Sequence, residues 1–196
     1  MRRFRRRLLI VLALLLIVGG ASTITYLIRW KLQARELARQ GFPAGIVIHH
    51  TSTPPVERGQ RVDVAFIDAM HKRRGFGKTD TDGTVYHVGY HYLVLQDGTV
   101  LRGRPEHLTG AHTRGHNNTL GIALVGDYDG WKNFGQRGPA VPPAVQLAAA
   151  ENLTRMLLAK YGLTPDDVYL HRELVISLCP GSRFPRQTFM RAIRGE

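Results

Sequence analysis

The apolar positions divide the chain into two unlike parts. Residues 8–28 run 21 positions without a charge, close to the ~20 that a helix needs to cross the hydrocarbon core of a bilayer. Residues 29–40, RWKLQARELARQ, are mostly good helix formers, and Gly41-Phe42-Pro43 ends that pattern. Beyond it the periods become short and mixed. Residues 45–50 are a compact apolar run closed by Thr51-Ser52-Thr53-Pro54-Pro55, which predicts a buried strand with His49 at its end. Val64, Phe66, Ile67 and Met70 recur at helical spacing and predict an amphipathic helix over 63–74, stopped by Gly75. The stretch KTDTD, set between Gly77 and Gly83, reads as an exposed loop.

Further on, residues 90–95 and 99–102 predict two strands joined through Asp97-Gly98, a strong hairpin signal. Residues 120–125 form another buried strand, and 142–161 a long helix rich in Ala and Leu. Residues 168–171 are a last strand that delivers His171, and 185–193 a closing helix. Strands and helices in this order predict an α/β domain on one central sheet. The chain then divides into a basic segment (1–7), a membrane-spanning signal anchor (8–28), a stalk (29–43) and a globular domain (44–196). At 196 residues and 43% hydrophobic content, it holds one domain with a sizeable core plus an appendage.

Charge sharpens the picture of the appendage. The formal net charge is +12, but residues 1–40 hold nine Arg or Lys against the single Glu36, so eight of those twelve charges lie there. The domain keeps only a mild excess, without interleaved basic and aromatic residues, and nucleic-acid binding is not expected. Five arginines precede the apolar span and three basic residues and one acid follow it closely, which orients the N-terminus to the cytoplasm and exports the domain. Tyr26 and Trp30 sit near the far end, at interfacial depth. The competing reading is a cleaved signal peptide with an apolar core over 8–18 and a small-residue site ending at Ala21. The apolar character that resumes at Ile24 favours the uncleaved anchor, and either reading exports the domain.

The candidate chemistry lies in HRELVISLCPG, residues 171–181, which contains the only cysteine. Cys179 follows His171 by eight residues, so the two can stand at the ends of one short loop. A lone cysteine has no internal disulfide partner, which leaves packing, nucleophilic attack or metal binding. Outside the cytoplasm an unpaired thiol risks oxidation, and zinc ligation would hold it as a protected thiolate. The doublet His49-His50 offers a third ligand at a strand end. Two imidazoles and a thiolate around an open fourth position make a catalytic type of zinc site. A buried, purely structural Cys is the alternative, and spacing alone does not choose among nine histidines.

The stretches GIVIHHTST (45–53), GYHYLVLQDGTVLRGRP (89–105), GAHTRGHNNTLGIALVGDY (110–128) and HRELVISLCPG resemble the zinc-dependent N-acetylmuramoyl-L-alanine amidases that include phage lysozyme-type amidases and peptidoglycan recognition proteins. The resemblance covers about 45–181 and implies a mixed sheet flanked by helices, with Zn²⁺ held by His49, His171 and Cys179. It implies that Tyr90 is the catalytic tyrosine, and that His112 and Asn117 lie near the substrate groove. Ser177 falls where relatives carry a lysine or threonine that assists at the transition state; serine departs from both, though its hydroxyl can still donate. His50, His87, His91 and His107 read as structural or surface residues, while His71 and His116 have no assigned role.

A cysteine as third ligand resembles the phage and recognition-protein branch, whereas cytoplasmic recycling amidases usually have aspartate. The expectation is a monomeric, single-pass membrane protein whose exported domain hydrolyses the bond between N-acetylmuramic acid and L-alanine in peptidoglycan. One alternative is a recognition module that binds peptidoglycan without cutting it. Another is a zinc peptidase acting within the stem peptide, although the sequence lacks an HExxH helix.

Overall fold

The structure, a computed structural model, describes residues 42–131, 133 and 137–196. The predicted basic segment, the 8–28 span and nearly all of the 29–43 stalk lie outside the described residues. Among the described residues no helix is long and apolar enough to cross a membrane. Phe42, at the end of the predicted stalk, packs against the main core, so the fold takes in that residue.

Strand β1 (Ile46–His50) leads into a small hairpin of β2 (Val56–Glu57) and β3 (Gln60–Arg61), and then helix α1 (Val64–Lys72). A second small hairpin, β4 (Lys78–Thr79) and β5 (Val85–Tyr86), precedes β6 (Tyr92–Val94), β7 (Val100–Arg102) and β8 (Leu120–Leu124). Helix α2 (Ala144–Tyr161), strand β9 (Val168–Leu170), the single turn α3 (His171–Leu174) and α4 (Arg186–Arg194) complete the order. The central sheet runs β7-β6-β8-β1-β9. Only β6 and β7 are antiparallel, joined through Gly98 at φ 84°, while β6-β8, β8-β1 and β1-β9 are parallel. The sheet is therefore mixed, as expected.

Two differences from the sequence pattern stand out. The KTDTD stretch is not a plain loop, because Lys78 and Thr79 pair with Tyr86 and Val85. Strands of two residues carry no periodic signature, so their pairing appears only in three dimensions. His171 begins a helical turn rather than ending a strand; Glu173 accepts the Leu170 N–H at 2.8 Å and starts that turn.

The two faces of the sheet have different tasks. Ile46 and Ile48, Tyr92 and Val94, Leu120, Ile122 and Leu124, and Val168 and Leu170 join Leu153, Leu157, Phe189 and Ile193 in one buried cluster with α2 and α4. Truncating a fully buried residue there, such as Phe189, costs about 3–5 kcal/mol. Because side chains alternate along a strand, the opposite face carries Val47 and His49 beside the small Gly121 and Ala123. Leu93, Leu95, Ile67 and Val88 close that side as a second, smaller cluster. Small residues on β8 leave space on this face, and the candidate site fills it.

Candidate metal centre

The parallel register brings the first two histidines together. Ile48 pairs with Leu170 across β1 and β9, so the next residues, His49 and His171, emerge side by side with ring centroids 4.5 Å apart. Alternation also separates the doublet. His50 points to the core face, where its Nδ1 accepts the Tyr128 N–H at 3.2 Å, and its backbone N–H donates to Cys179 Sγ at 3.3 Å.

Cys179 returns to His171 because the intervening loop is closed by hydrogen bonds. Arg172 donates its backbone N–H to the Cys179 carbonyl at 3.0 Å and a guanidinium N–H to the Gly181 carbonyl at 2.7 Å. Ser177 Oγ accepts the Cys179 N–H at 3.1 Å. Cys179 Sγ then lies 3.6 Å from His49 Nδ1, and one ligand atom from each of His49, His171 and Cys179 falls within 4.8 Å of the others.

The electrostatics suit a cation. Burial holds the His49 pKa well below 6.5, with repulsion from His112, His171 and His50 adding to it, and burial also lowers His171. Both rings are neutral and keep a lone pair. His171 Nδ1 is buried without a hydrogen-bond partner. Burial pushes the Cys179 thiol up to about 12, despite the His50 N–H and Arg172, so a thiolate here requires a positive charge beside it. Zinc–nitrogen bonds of about 2.0–2.1 Å and a zinc–sulfur bond of about 2.3 Å at a tetrahedral angle give an N···S edge of about 3.6 Å. His49 Nδ1 and Cys179 Sγ are already at that separation. The donor set fits zinc.

The triad opens into a groove of about 1020 Å³ whose lining includes Tyr90, Ser177, His112 and Asn117. The Tyr90 ring lies tilted against His49 (ring centroids 5.2 Å) and His71 (5.4 Å). Burial, and the negative charge of an ionised Cys179, raise its pKa, so the phenol stays protonated and remains a donor. His71, without an assigned role from sequence, joins this wall, and its Nδ1 accepts the Gly89 N–H at 2.9 Å. Asn117 Oδ1 accepts the N–H groups of His112 and Thr113, both at 2.9 Å, and so shapes the turn that carries them.

Both ring nitrogens of His112 are engaged inside the protein: Nδ1 lies 3.1 Å from His49 Nε2 and 3.0 Å from Thr113 Oγ1, and Nε2 lies 3.0 Å from the Thr119 carbonyl oxygen. Sequence reasoning also missed Arg104. Its buried guanidinium donates to the carbonyls of Val88, Thr109, Phe76 and Tyr86 at 2.9, 2.8, 2.7 and 3.2 Å, tying three backbone segments at and behind the groove wall together. The residue itself is visible in the RGRP motif, but its partners are backbone carbonyls and leave no trace in sequence.

Fold and site together define an α/β protein with a His-His-Cys cluster that could hold a metal ion, at the carboxyl end of parallel strands and open to a groove. The family model described as "N-acetylmuramoyl-L-alanine amidase" matches residues 39–182, and the chain belongs to that family. It is similar to the endolysin of Escherichia phage T7, 34% identical over 136 residues that make up 69% of this chain and 78% of the endolysin. A peptidoglycan-recognition protein of Drosophila melanogaster is 29% identical over 140 residues, 69% of this chain and 67% of that protein. Among solved structures, N-acetylmuramoyl-L-alanine amidase LysC from Clostridium intestinale URNW aligns with a TM-score of 0.58 and 31% identity, covering 76% of this chain and 83% of its own.

Proposed function

We propose that this protein is a membrane-anchored, zinc-dependent N-acetylmuramoyl-L-alanine amidase that cuts the bond between N-acetylmuramic acid and L-alanine of peptidoglycan. The observation that carries the reading is the convergence of His49, His171 and Cys179 beside Tyr90 in an open groove. The family match and the phage endolysin relative support the substrate class.

An amide is unreactive, so its hydrolysis needs an activated water and a donor for the oxyanion. When bound, zinc supplies a Lewis acid that polarises a carbonyl and lowers the pKa of water to about 7. His49, His171 and Cys179 hold the ion. Tyr90, kept protonated, donates to the negative charge that develops on the scissile carbonyl oxygen. Ser177 accepts the Cys179 N–H, which leaves its own O–H proton to donate toward the substrate. Arg74, Lys78 and Arg114 line the groove against the single acid Asp129, a balance that suits the free carboxylates of a stem peptide. The membrane anchor rests on the uncharged span 8–28 and the arginines before it.

Two measurements test the proposal. Metal analysis of the purified chain should give about one zinc per chain, lost in Cys179→Ala; equal zinc in both would remove the site assignment. Mass spectrometry of digested sacculi should find stem peptides with a free L-alanine amino terminus. Binding without release of such peptides by the zinc-loaded chain would make it a recognition module, and cuts within the stem would make it a peptidase.

A further inference from the structure

The geometry assigns His112 a task beyond contact with the groove: it is a positioning residue that fixes the proton of His49 on Nε2, so that the Nδ1 lone pair of His49 faces the metal site. The inference rests on the zinc reading of the triad, and its starting point is a backbone carbonyl.

The Thr119 carbonyl oxygen can only accept a hydrogen bond. The His112 nitrogen 3.0 Å from it, Nε2, is therefore the one that carries a proton. The hydrogen bonds of the His112 ring go to that carbonyl, to the Thr113 hydroxyl and to another imidazole, with no carboxylate among them to hold a second proton. The neutral ring then has a bare Nδ1. His49 Nε2 lies 3.1 Å from this bare nitrogen. Two lone pairs facing each other at that distance would repel, so His49 Nε2 carries the proton and donates it. The Thr113 hydroxyl lies 3.0 Å from His112 Nδ1 and 3.4 Å from His49 Nε2, so its oxygen can share the same His49 N–H as a second acceptor. His49 Nδ1, 3.6 Å from Cys179 Sγ, is left bare for the cation.

The seat of the relay is as specific as its polarity. A Cβ built on Gly110 would stand 2.3 Å from the His112 ring, and one on Gly121 would stand 2.7 Å from it, so any side chain at either position would collide with the imidazole. The His91 ring packs edge-on against the His112 ring at 5.7 Å, and it is itself fixed by the Gly121 N–H on Nδ1 and the Leu108 carbonyl on Nε2, both at 2.9 Å. A metal-ligating histidine usually gives its second N–H to a carboxylate, a carbonyl or water. Here an imidazole stands between the ligand and the carbonyl, and the direction of the whole chain is set by an oxygen that cannot reverse.

The test uses the full chain in detergent, with ¹⁵N-labelled histidine and without metal, alongside zinc titration against a chromophoric chelator. In the parent, His49 should show a single Nε2–H tautomer. His112→Phe removes the acceptor while keeping a planar ring; it should give a mixed His49 tautomer and weaken zinc binding by about 10–100-fold. His112→Asn returns an acceptor oxygen near the position of Nδ1 and should restore the tautomer, with affinity within a few-fold of the parent. A purely structural role would not produce that rescue. A parent His49 protonated on Nδ1, or a His112→Phe chain with the parent's tautomer and zinc affinity, overturns the assignment. If near-UV circular dichroism shows that His112→Phe has lost its fold, the His49 tautomer in the parent and in His112→Asn decides: Nε2–H in both upholds the relay, and Nδ1–H in either overturns it. A parent that binds no zinc refutes the metal reading instead, and the metal-free tautomer still decides what His112 does.

Discussion

Adding one methyl group at Gly121 should unseat His112 and weaken metal binding at the candidate site. Gly121 is the second residue of β8, where its backbone is paired on both sides and its missing side chain faces the imidazole. A new Cβ would sit 2.7 Å from both Cγ and Cδ2 of His112. Ordinary contact between carbons begins near ~3.5 Å, so the ring must retreat by roughly 0.8 Å. It cannot do so while keeping its 3.0 Å bond to the Thr119 carbonyl and its 3.1 Å approach to His49. Overpacking of this kind costs about 1–3 kcal/mol, which exceeds the ~0.4–1 kcal/mol that Gly→Ala gains by restricting the unfolded chain. For a domain of this size, a net loss of about 1–2 kcal/mol lowers Tm by about 2–8 °C. The control is Gly77→Ala, where the nearest atoms would be 3.8 Å away. Differential scanning calorimetry of the three chains, with zinc titration of each, measures both effects. Equal Tm and equal zinc affinity in Gly121→Ala and Gly77→Ala would refute the packing argument.

Tyr90→Phe should keep zinc and sacculus binding but lower turnover by about 10²–10³, the range for loss of an oxyanion donor, and Ser177→Ala should do less; unchanged turnover in Tyr90→Phe removes the tyrosine from the chemistry. Burial lowers His91 to about 4, aided by Arg104 and opposed by its bond to Leu108. The unfolded chain therefore binds this proton near pH 6.5 and the folded chain only near pH 4. The His91 contribution to stability should fall by about 3 kcal/mol as pH drops through that window, and the lowered His71 and His112 add losses of the same sign; denaturant unfolding across it, with an NMR titration of His91, checks this, and a His91 midpoint near 6.5 would contradict it. The full chain should remain in membranes through an alkaline carbonate wash, with its C-terminal domain reached only from the exported side. A mature N-terminus at Ser22, found by N-terminal sequencing, would replace the anchor by a cleaved signal peptide.

Much of this protein is written locally. The apolar run 45–50, the Asp97-Gly98 hairpin and the long 142–161 pattern name their elements because periodicity and turn chemistry are properties of neighbours in sequence. The ligand candidates were legible for a similar reason: one cysteine, a histidine eight residues before it, and a doublet at a strand end, in motifs that resemble a known family. Which histidine of the doublet faces the site follows from strand alternation, but only once the helices have claimed one face of the sheet for the core. The pairing of Ile48 with Leu170, which sets His49 beside His171, joins segments more than a hundred residues apart and has no local signal. The same holds for His112. The family resemblance set it near the substrate groove, which it lines, and its place between Gly110 and Gly121, with the Thr119 carbonyl behind it and His49 in front, exists only after β8 has packed beside β1. Sequence determined which residues were available for chemistry; tertiary structure decided which atoms meet, because backbone carbonyls and the absence of a Cβ act through space and carry no identity along the chain.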